Sequence, residues 1–283
     1  PVGGLMSVNE IIANQIISKL EKNIIPWKPT WKLKVPMNYV SKRPYSGINM
    51  LLLSTEDYPY PYYLTFKQIQ DLKAKIKKGE EGHLVTWLFN PNTKEEENEE
   101  EEKKHKTSFL RYYRVWNISQ TTLEMNQETV KTETYNTLPC EEIVSHYPNP
   151  PAILHEQYLP CYNRSRDMIK IPDMSDFEYP EAYYATLFHE LIHSTGHQNR
   201  LKRKSLLESQ HFSSEEYSLE ELVAEIGAYM LCAKTGIQNL TQNNSLAYIK
   251  GWLEALKNNT RMIFTAAHLA QEAECYISKG EAI

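Results

Sequence analysis

Residues 183–201, YYATLFHELIHSTGHQNRL, contain three of the nine histidines of the chain. His189 and His193 are four residues apart, so on a helix both imidazoles face one side and reach a single metal ion. Glu190 follows the first histidine and lies within reach of a water molecule on the open side of that ion. This HExxH pattern predicts a zinc site on a helix over about residues 178–197.

A zinc site of this kind needs a third protein ligand. The HExxHxxGxxH arrangement is excluded, because Asn199 takes the place of the third histidine and His197 stands at the wrong offset. The other arrangement takes a glutamate from a following helix, and SLEELVAEIGAYMLCA (residues 218–233) contains Glu221 and Glu225. We expect Glu221 to be the third ligand and Glu225 to accept the second ring N–H of one of the two histidines.

Simpler interpretations of both helices compete with the metal site. A helix with two solvated histidines would explain the pentapeptide alone, since HExxH also arises by chance. The preceding YYATLF is apolar and aromatic, however, which indicates a buried helix whose histidines need partners. In the second helix, an acidic cluster that favours the helix dipole explains Glu215, Glu216 and Glu220. It explains Glu225 poorly, because that residue lies deeper in the helix.

The composition excludes several classes of protein. The 283 residues are 41% hydrophobic and 24% charged, as in globular domains, and the net charge of -5 gives no global attraction to nucleic acids or anionic membranes. The four cysteines are widely spaced, which excludes a cysteine zinc ribbon and argues against a disulfide scaffold. The apolar runs are too short to cross a bilayer. We therefore expect a protein of the reducing cytoplasm with no membrane segment.

Hydrophobic spacing divides the chain into two parts, with a boundary expected in the proline-bearing stretch at about 135–151. The first part begins with a helix over residues 8–22 and contains strands at about 83–89 and 109–119. The second part predicts a strand, a hairpin bent at NRSRD and four helices, at about 178–197, 216–234, 243–256 and 258–278. Residues 92–106, NTKEEENEEEEKKHK, indicate a solvated, mobile insertion between two strands; binding of a basic partner is the alternative.

The first part of the chain combines basic and aromatic side chains. Twelve lysines and arginines and seven acids lie between residues 1 and 91, a local net charge of +5 in an acidic chain. Basic residues track a phosphate backbone while aromatic faces stack on unpaired bases, which is the general design of single-strand binding. The aromatics among these cations include Trp27, Trp31, Tyr39, Tyr45, Phe66 and Trp87. The alternative is that the tryptophans are core residues and the lysines form a solvated surface.

Taken together, these motifs resemble those of ArdC-type antirestriction proteins, which are encoded largely on conjugative plasmids and other mobile elements. YYATLFHELIHSTGHQNRL followed by EELVAEIGAYMLCA is similar to the zincin-like metallopeptidase domain of that family. IIPWKPTW, MNYVSKRPYSGINMLLL, LTFKQI, KKGEEGHLVTW and YYRVWNISQ line up in order with the family's N-terminal domain, which binds single-stranded DNA. The resemblance covers nearly the whole chain; the acidic insertion and a WKPTW spacing one residue longer than usual depart from it.

The resemblance implies an α+β fold of two domains. Residues 1–135 would bind single-stranded DNA with little sequence preference, and residues 136–283 would form the zincin-like domain with a small sheet, the HExxH helix and the glutamate helix. Zn²⁺ would be held by His189, His193 and Glu221, with a fourth position left for water. The residues expected to contact DNA are Trp27, Lys28, Trp31, Arg43, Tyr45, Asn49, Lys67, Lys77 and Lys78.

If the site is catalytic, Glu190 is the general base that activates water for attack on a peptide carbonyl. His197, Tyr217 and Tyr229 are candidates for the donor that stabilises the tetrahedral intermediate. The resemblance implies protection of incoming DNA from host restriction, by coating single strands, by proteolysis of an unidentified host protein, or by both. Two other functions stay open: a DNA-binding protein with a purely structural zinc, and a regulatory zinc protease whose N-terminal domain binds protein.

Overall fold

The structure is a computed structural model that describes residues 7–28, 34–89, 109–125, 138–156, 159–208, 215–237 and 246–279. It confirms the expected α+β architecture, with a small sheet in each half of the chain. The predicted acidic insertion, Trp31 and residues 135–137 of the expected domain boundary lie outside the described residues. Within the described ranges, no helix is both long enough and apolar enough to cross a membrane.

The N-terminal half is built around a four-stranded sheet. Its strands are β1 (Met37–Asn38), β2 (Tyr62–Thr65), β3 (His83–Phe89) and β4 (Phe109–Asn117), in the order β1-β2-β4-β3. β1 is parallel to β2, whereas the other two pairs are antiparallel. The strands predicted on either side of the acidic insertion therefore pair with each other, from His83 opposite Val115 to Phe89 opposite Phe109.

Three helices accompany this sheet: α1 (Val8–Glu21), α2 (Gly47–Leu53) and α3 (Phe66–Asp71). α1 begins where expected because Ser7 caps it. The Ser7 hydroxyl accepts the backbone N–H of Glu10, and the Glu10 carboxylate accepts the backbone N–H of Ser7. α2 packs both on β3 and on a helix of the C-terminal half, so it lies between the two parts of the molecule.

The C-terminal half contains a three-stranded sheet and a group of helices. Its strands are β5 (Ala152–His155), β6 (Cys161–Asn163) and β7 (Met168–Ile171), in the order β5-β7-β6, and β6 and β7 form the predicted bent hairpin. β6 is therefore an edge strand of this sheet. The helices are α4 (Leu138–His146), α5 (Pro180–Thr195), α6 (Lys204–Glu208), α7 (Glu215–Thr235), α8 (Leu246–Asn258) and α9 (Met262–Lys279).

Helix α4 is not predicted from the sequence, because the nearby prolines indicate a linker. Its own proline, Pro139, occupies the second helical position, where a missing N–H breaks no helical hydrogen bond. Cys140 and Ile143 of this helix, and Tyr147 just after it, lie in the main hydrophobic core. Part of the expected boundary stretch is thus a packed element of the C-terminal half.

The largest hydrophobic core is shared by both halves. Ile16 and Leu20 of α1, together with Trp27, belong to the same cluster as the buried faces of α5, α7 and α9. The Trp27 ring is 0% exposed and meets the ring of Trp252 edge-on, with the ring centroids 5.3 Å apart. Buried apolar surface, and not the polypeptide connection alone, therefore joins the N-terminal half to the helices that carry the HExxH motif.

Candidate metal centre and nucleic-acid interface

Helix α5 places His189 and His193 on one face, about one turn apart. Pro180 at its first position favours the helix start, and Gly196 ends it. Every residue from Glu181 to Thr195 is buried, so the helix runs through the core and its polar side chains need partners. α5 packs against α7, the helix predicted to supply the third ligand.

The three predicted ligands lie together. The Nε2 atoms of His189 and His193 are 3.1 Å apart, and the two carboxylate oxygens of Glu221 lie 3.7 and 3.6 Å from them, respectively. Ligand atoms held at about 2.0–2.1 Å from a tetrahedral zinc ion lie roughly 3.3–3.4 Å from one another. The spacing and the donor set, two imidazoles and one carboxylate, therefore fit a divalent metal ion.

The acidic residues around the ligand cluster favour a positive charge there. Burial alone would lower the pKa of His189, but the interaction with Glu221 and the charges of Glu225 and Glu190 raise it to about 9. Burial likewise opposes ionisation of Glu221, yet the histidines and Tyr217 hold its pKa below the usual value. Such a cluster suits a metal cation, because the cation supplies the positive charge that the carboxylates otherwise draw from a proton.

Glu220 is a residue of the site that the sequence interpretation missed. It was expected only as part of the acidic cluster at the start of α7, but it is 3% exposed and lies 3.1 Å from Nδ1 of His193. Burial would raise the pKa of Glu220, but Arg203 and His193 outweigh it and lower the pKa to about 2. An ionised carboxylate only accepts hydrogen bonds, so Nδ1 of His193 donates to it and the Nε2 lone pair faces the metal position.

Arg203 holds Glu220 in place. Its guanidinium donates to both carboxylate oxygens, at 2.6 and 3.0 Å, and the hydroxyl of Ser205 donates a further hydrogen bond at 2.6 Å. The same guanidinium donates to the carbonyl of Ile192 at 2.8 Å, near the end of α5. A Cβ atom at Gly196 would lie 2.9 Å from this guanidinium. The glycine is therefore needed for space, in addition to its expected place at the helix end.

Glu225 lies on the other side of His189. Its Oε1 atom is 3.9 Å from Nδ1 of His189, so Glu225 lies beside a histidine as predicted, but the expected hydrogen bond is not formed: the distance is too long, and Nδ1 has no hydrogen-bond partner among the described residues. Its Oε2 atom is 3.7 Å from the Nζ atom of Lys28, so the carboxylate lies between a histidine and a lysine at ion-pair distances. Burial raises the pKa of Glu225 and lowers that of Lys28. The partner of Glu225 thus comes from the N-terminal half of the chain.

The ligand cluster opens into a cavity of about 320 Å³. Glu190 lines this cavity beside the ligands, as do Cys161 and Tyr162 of the edge strand β6. Glu190 is 4% exposed, so its carboxylate is shielded from bulk water but borders the space next to the metal position. This placement is the one that a general base for a water molecule in the cavity requires.

The three candidate donors for the tetrahedral intermediate lie in different places. Tyr217 lines the cavity and interacts with Glu221. His197 is buried away from the ligands, with Nδ1 3.9 Å from a carboxylate oxygen of Asp167. Tyr229 is 0% exposed and is not among the residues that line the cavity. The geometry therefore favours Tyr217 and corrects the inclusion of His197 and Tyr229.

The residues expected to contact DNA also lie in different environments. Asn49 supports the sheet, because its amide donates to the carbonyl of Thr86 and accepts the Thr86 backbone N–H, both at 2.7 Å. Tyr45 is half-buried. Apart from Lys28, the basic residues predicted to contact DNA have exposed side chains: Arg43, Lys67, Lys77 and Lys78.

Trp27 and Lys28 lie at the contact between the two halves of the chain. Because the Trp27 ring is 0% exposed, it offers no face to a base, which corrects its assignment to the DNA surface. The side chain of Lys28 is 10% exposed and pairs with Glu225, so it is directed to the metal site and not to a phosphate backbone. A tryptophan beside a lysine is equally typical of a stacking surface and of a packed interface, so the sequence does not distinguish the two.

A surface with the properties expected for base stacking lies on β3 and β4. Trp87 is opposite Arg111 and Tyr113 is opposite Val85, and opposite residues of an antiparallel pair share a face. The side chains of a strand alternate, so Trp87, Arg111 and Tyr113 lie on one face, where Trp87 is 43% and Tyr113 37% exposed. Tyr45 lies beside them, since it interacts with Tyr113. Arg111 and Tyr113 were missed because the sequence does not give the register across the acidic insertion.

Two family models match the chain. Residues 6–116 match the N-terminal domain of the anti-restriction factor ArdC, and residues 149–269 match a zincin-like metallopeptidase. The fold and the site therefore define a zincin-like protein that carries an ArdC-type N-terminal domain. Together with the similarity to solved structures given next, these matches show that the chain belongs to the ArdC family of antirestriction proteins.

The solved structures similar to this chain include two of the antirestriction ArdC protein from the R388 plasmid. The metal-free crystal structure has a TM-score of 0.78 and 31% sequence identity, and the match covers 96% of this chain and 97% of that chain. The Mn(II)-bound crystal structure has a TM-score of 0.76 and 29% identity over the same shares. A divalent metal at the His–His–Glu cluster is consistent with the zincin-like family and with this Mn(II)-bound relative.

Curated relatives extend the comparison to longer proteins. The uncharacterized protein y4eC of Sinorhizobium fredii is 30% identical, over 94% of this chain and 89% of that protein. The DNA primase TraC of Escherichia coli is 28% identical, over 95% of this chain and 27% of the primase. The chain thus spans about a quarter of the length of that primase.

Proposed function

We propose that the chain is a zinc-dependent peptidase that also binds single-stranded DNA and protects the incoming DNA of a mobile element from restriction in the host cytoplasm. The observation that carries the peptidase proposal is the convergence of Glu190 and the three ligands on one open cavity beside an edge strand. A metal site with a purely structural role has no need of a carboxylate base and an adjoining cavity. The antirestriction role is supported by the family.

The roles of the residues follow from their positions. His189, His193 and Glu221 hold the metal, and a bound Zn²⁺ ion supplies Lewis acidity and lowers the pKa of a coordinated water to about 7. Glu190 accepts the proton of the attacking water and delivers it to the leaving amine. Tyr217, in the first turn of α7, lines the same cavity, and its hydroxyl is the donor to the carbonyl oxygen under attack.

The substrate class is an extended peptide. β6 pairs with β7 along one edge, and the sheet order leaves its other edge as the border of the sheet, next to the cavity. An extended segment adds to such an edge through backbone hydrogen bonds, which would bring its carbonyls past Glu190 and the metal position. The half-exposed Cys161 and Tyr162 of β6 would contact its side chains.

The peptidase proposal is tested by loading the purified protein with Zn²⁺ and following cleavage of a library of extended fluorogenic peptides. The wild type is expected to cleave a subset, and Glu190→Gln to keep the metal but to lose about 100- to 10,000-fold in rate, since this is the usual contribution of a positioned acid–base group. The matched control is Glu181→Gln on the same helix, because Glu181 is buried outside the cavity and is expected to leave the rate unchanged.

The contrary outcomes separate the rival functions. A Glu190→Gln protein that protects DNA in cells as well as the wild type would favour a purely structural metal and a role in DNA binding alone. A protein without zinc after purification free of chelators would contradict the metal site itself. Absence of binding to single-stranded oligonucleotides, with peptide cleavage intact, would favour a regulatory protease whose N-terminal half binds protein.

We propose the face defined by Trp87, Arg111, Tyr113 and Tyr45 as the centre of the DNA-binding surface. This face combines exposed aromatic rings with a guanidinium, which is the pairing that sequence-tolerant binding of single strands uses. The exposed cations Arg43, Lys67, Lys77 and Lys78 are retained as contacts to the phosphate backbone. Binding is expected to weaken steeply with salt, as counterion release requires.

A further inference from the structure

The segment that follows α1 reaches from the N-terminal half into the helices of the metal site. Trp27 is fully buried against Trp252 of α8, which fixes the neighbouring backbone in the shared core. The Nζ atom of Lys28, the next residue, lies 3.7 Å from Oε2 of Glu225 on α7. A basic side chain from one half thus meets a buried carboxylate of the other.

The contact between Lys28 and Glu225 matters because Glu225 is buried beside a predicted metal ligand. The carboxylate is 2% exposed and has Lys28 near one oxygen and His189 near the other, with Oε1 3.9 Å from Nδ1 of the ring. Its Oε2 atom has no hydrogen bond among the described residues, so the ion pair with Lys28 is the polar interaction found there. A buried carboxylate without a compensating cation is strongly destabilised. The ammonium therefore anchors a group whose other oxygen faces a metal ligand.

The two histidines are supported in different ways. His193 has Glu220, which is itself held by Arg203 and Ser205 within the same half of the chain. His189 has Glu225, whose cationic neighbour is Lys28 of the other half. The carboxylate beside His193 is therefore held by a local network, whereas the carboxylate beside His189 is paired with a side chain of the N-terminal segment.

We propose that Lys28 is a positioning residue of the metal site: by holding Glu225 it orients the ring of His189, and through it the N-terminal half sets the metal affinity of the C-terminal half. This inference rests on the metal site of the proposed function and does not depend on peptidase activity. Partners that orient ligands typically contribute about 10- to 100-fold to metal affinity. Loss of Lys28, one step further from the metal, is expected to weaken affinity by about 10-fold.

The test measures Zn²⁺ affinity of the full-length protein by competition with a chromophoric chelator, and the visible spectrum of the Co²⁺-loaded protein as a report on ligand geometry. Lys28→Met is expected to bind Zn²⁺ about 10-fold more weakly and to shift the Co²⁺ absorption bands. Lys28→Arg keeps the charge and should recover most of the affinity. The matched control is Lys234→Met, because Lys234 lies on α7, as Glu225 does, and pairs with a mostly buried glutamate, Glu274, at 2.8 Å.

A second pair of variants distinguishes positioning from general loosening of the fold. In a Glu225→Gln background, Lys28→Met should cause no further loss of Zn²⁺ affinity, because the two residues act through one contact. An equal loss in both backgrounds, or an affinity of Lys28→Met within about twofold of the wild type, would overturn the inference. If Lys28→Met does not fold, as judged by thermal unfolding of the metal-free protein, Lys28→Gln replaces it, with the same outcomes deciding.

The failure of this inference differs from failure of the proposed function. If the wild type binds no Zn²⁺, the metal site is absent, and both the proposed function and the role of Lys28 are contradicted. If the wild type binds Zn²⁺ and Lys28→Met binds it equally well, the metal site stands and the role of Lys28 falls. If Lys234→Met weakens binding as much as Lys28→Met, the effect is one of stability, and the role of Lys28 also falls.

Discussion

The metal centre and the β3–β4 face are the two regions on which the proposed activities rest, and they differ in how their side chains are held. At the metal centre, both histidines and three of the glutamates are buried, and Glu220 is held between His193 and Arg203. On the β3–β4 face, Trp87 and Tyr113 lie on paired strands and are partly exposed. The first arrangement suits a small ion with a fixed geometry, and the second suits a flexible polymer.

The largest expected effect comes from removing a metal ligand. His193→Ala or Glu221→Ala should weaken Zn²⁺ binding by at least about 100-fold, because changes to outer partners of ligands alone cost about 10- to 100-fold. Isothermal titration with Zn²⁺ measures this loss. Binding of a single-stranded oligonucleotide to the same variants should stay within about twofold of the wild type; a parallel loss would mean that the two regions are not separate.

A Cβ atom at Gly227 should disturb the packing of the metal-bearing helices. It would lie 2.6 Å from Cδ1 of Ile192 on α5, which is closer than packed atoms approach. We expect Gly227→Ala to lower the free energy of unfolding by about 1–3 kcal/mol, as overpacking does, and to weaken metal binding. Urea unfolding measures the first effect.

The matched control for this prediction is Gly251→Ala on α8. The nearest atom to a Cβ there is 4.0 Å away, at Ser218, so the added methyl group meets no clash. Alanine is the better helix former, and this variant should gain up to about 1 kcal/mol. Equal and positive effects at both glycines would show that α5 and α7 are not tightly packed.

Loss of an aromatic ring from the β3–β4 face should weaken DNA binding by a moderate amount. Stacking on an aromatic side chain contributes about 1–3 kcal/mol per base, so Trp87→Ala should bind an oligothymidine about 10-fold more weakly, measured by fluorescence anisotropy. Phe66→Ala is the control, because Phe66 is 52% exposed but packs near Trp116, away from this face. A larger effect of Phe66→Ala than of Trp87→Ala would indicate that the DNA-binding surface lies on another part of the sheet.

The smallest effect is a dependence of stability on pH through Glu220. Its pKa is about 2 in the folded protein against 4.5 for an unperturbed glutamate, so its charge stabilises the fold above about pH 5 and this contribution declines as the pH falls towards 2. Compared with Glu220→Gln, the wild type should lose about 1 kcal/mol of unfolding free energy between about pH 7 and pH 4. Urea unfolding of both metal-free proteins at the two pH values tests this, and a difference that grows on acidification would contradict it.

The sequence predicts those features that depend on spacing within one helix. His189 and His193 share a face at a separation of four residues, and Glu221 and Glu225 do so on α7, so the cluster needed only that α5 and α7 pack together. Glu220 was not predicted as a site residue, because its role depends on Arg203, which a loop brings to it. A contact of this kind leaves no periodic pattern in the sequence.

Features that depend on contacts between distant segments were harder to predict. The β3–β4 face depends on the pairing of two strands separated by the acidic insertion, and this register is not encoded in either strand alone. The sequence predicts a DNA contact at Trp27, which lies in the core, because a tryptophan is typical both of a core and of a base-stacking surface. Only its contact with Trp252, far along the chain, shows that Trp27 belongs to the core. Burial, not residue type, separates the two roles.

The core that both halves share also bears on how genes for this architecture recombine. A breakpoint between the halves would separate Ile16, Leu20 and Trp27 from the apolar faces of α5, α7 and α9, and each product would expose surface that is now buried. The matches to y4eC and to the much longer primase TraC each extend over 94–95% of this chain, not over one half. In both relatives the two halves therefore occur together, as a shared core requires.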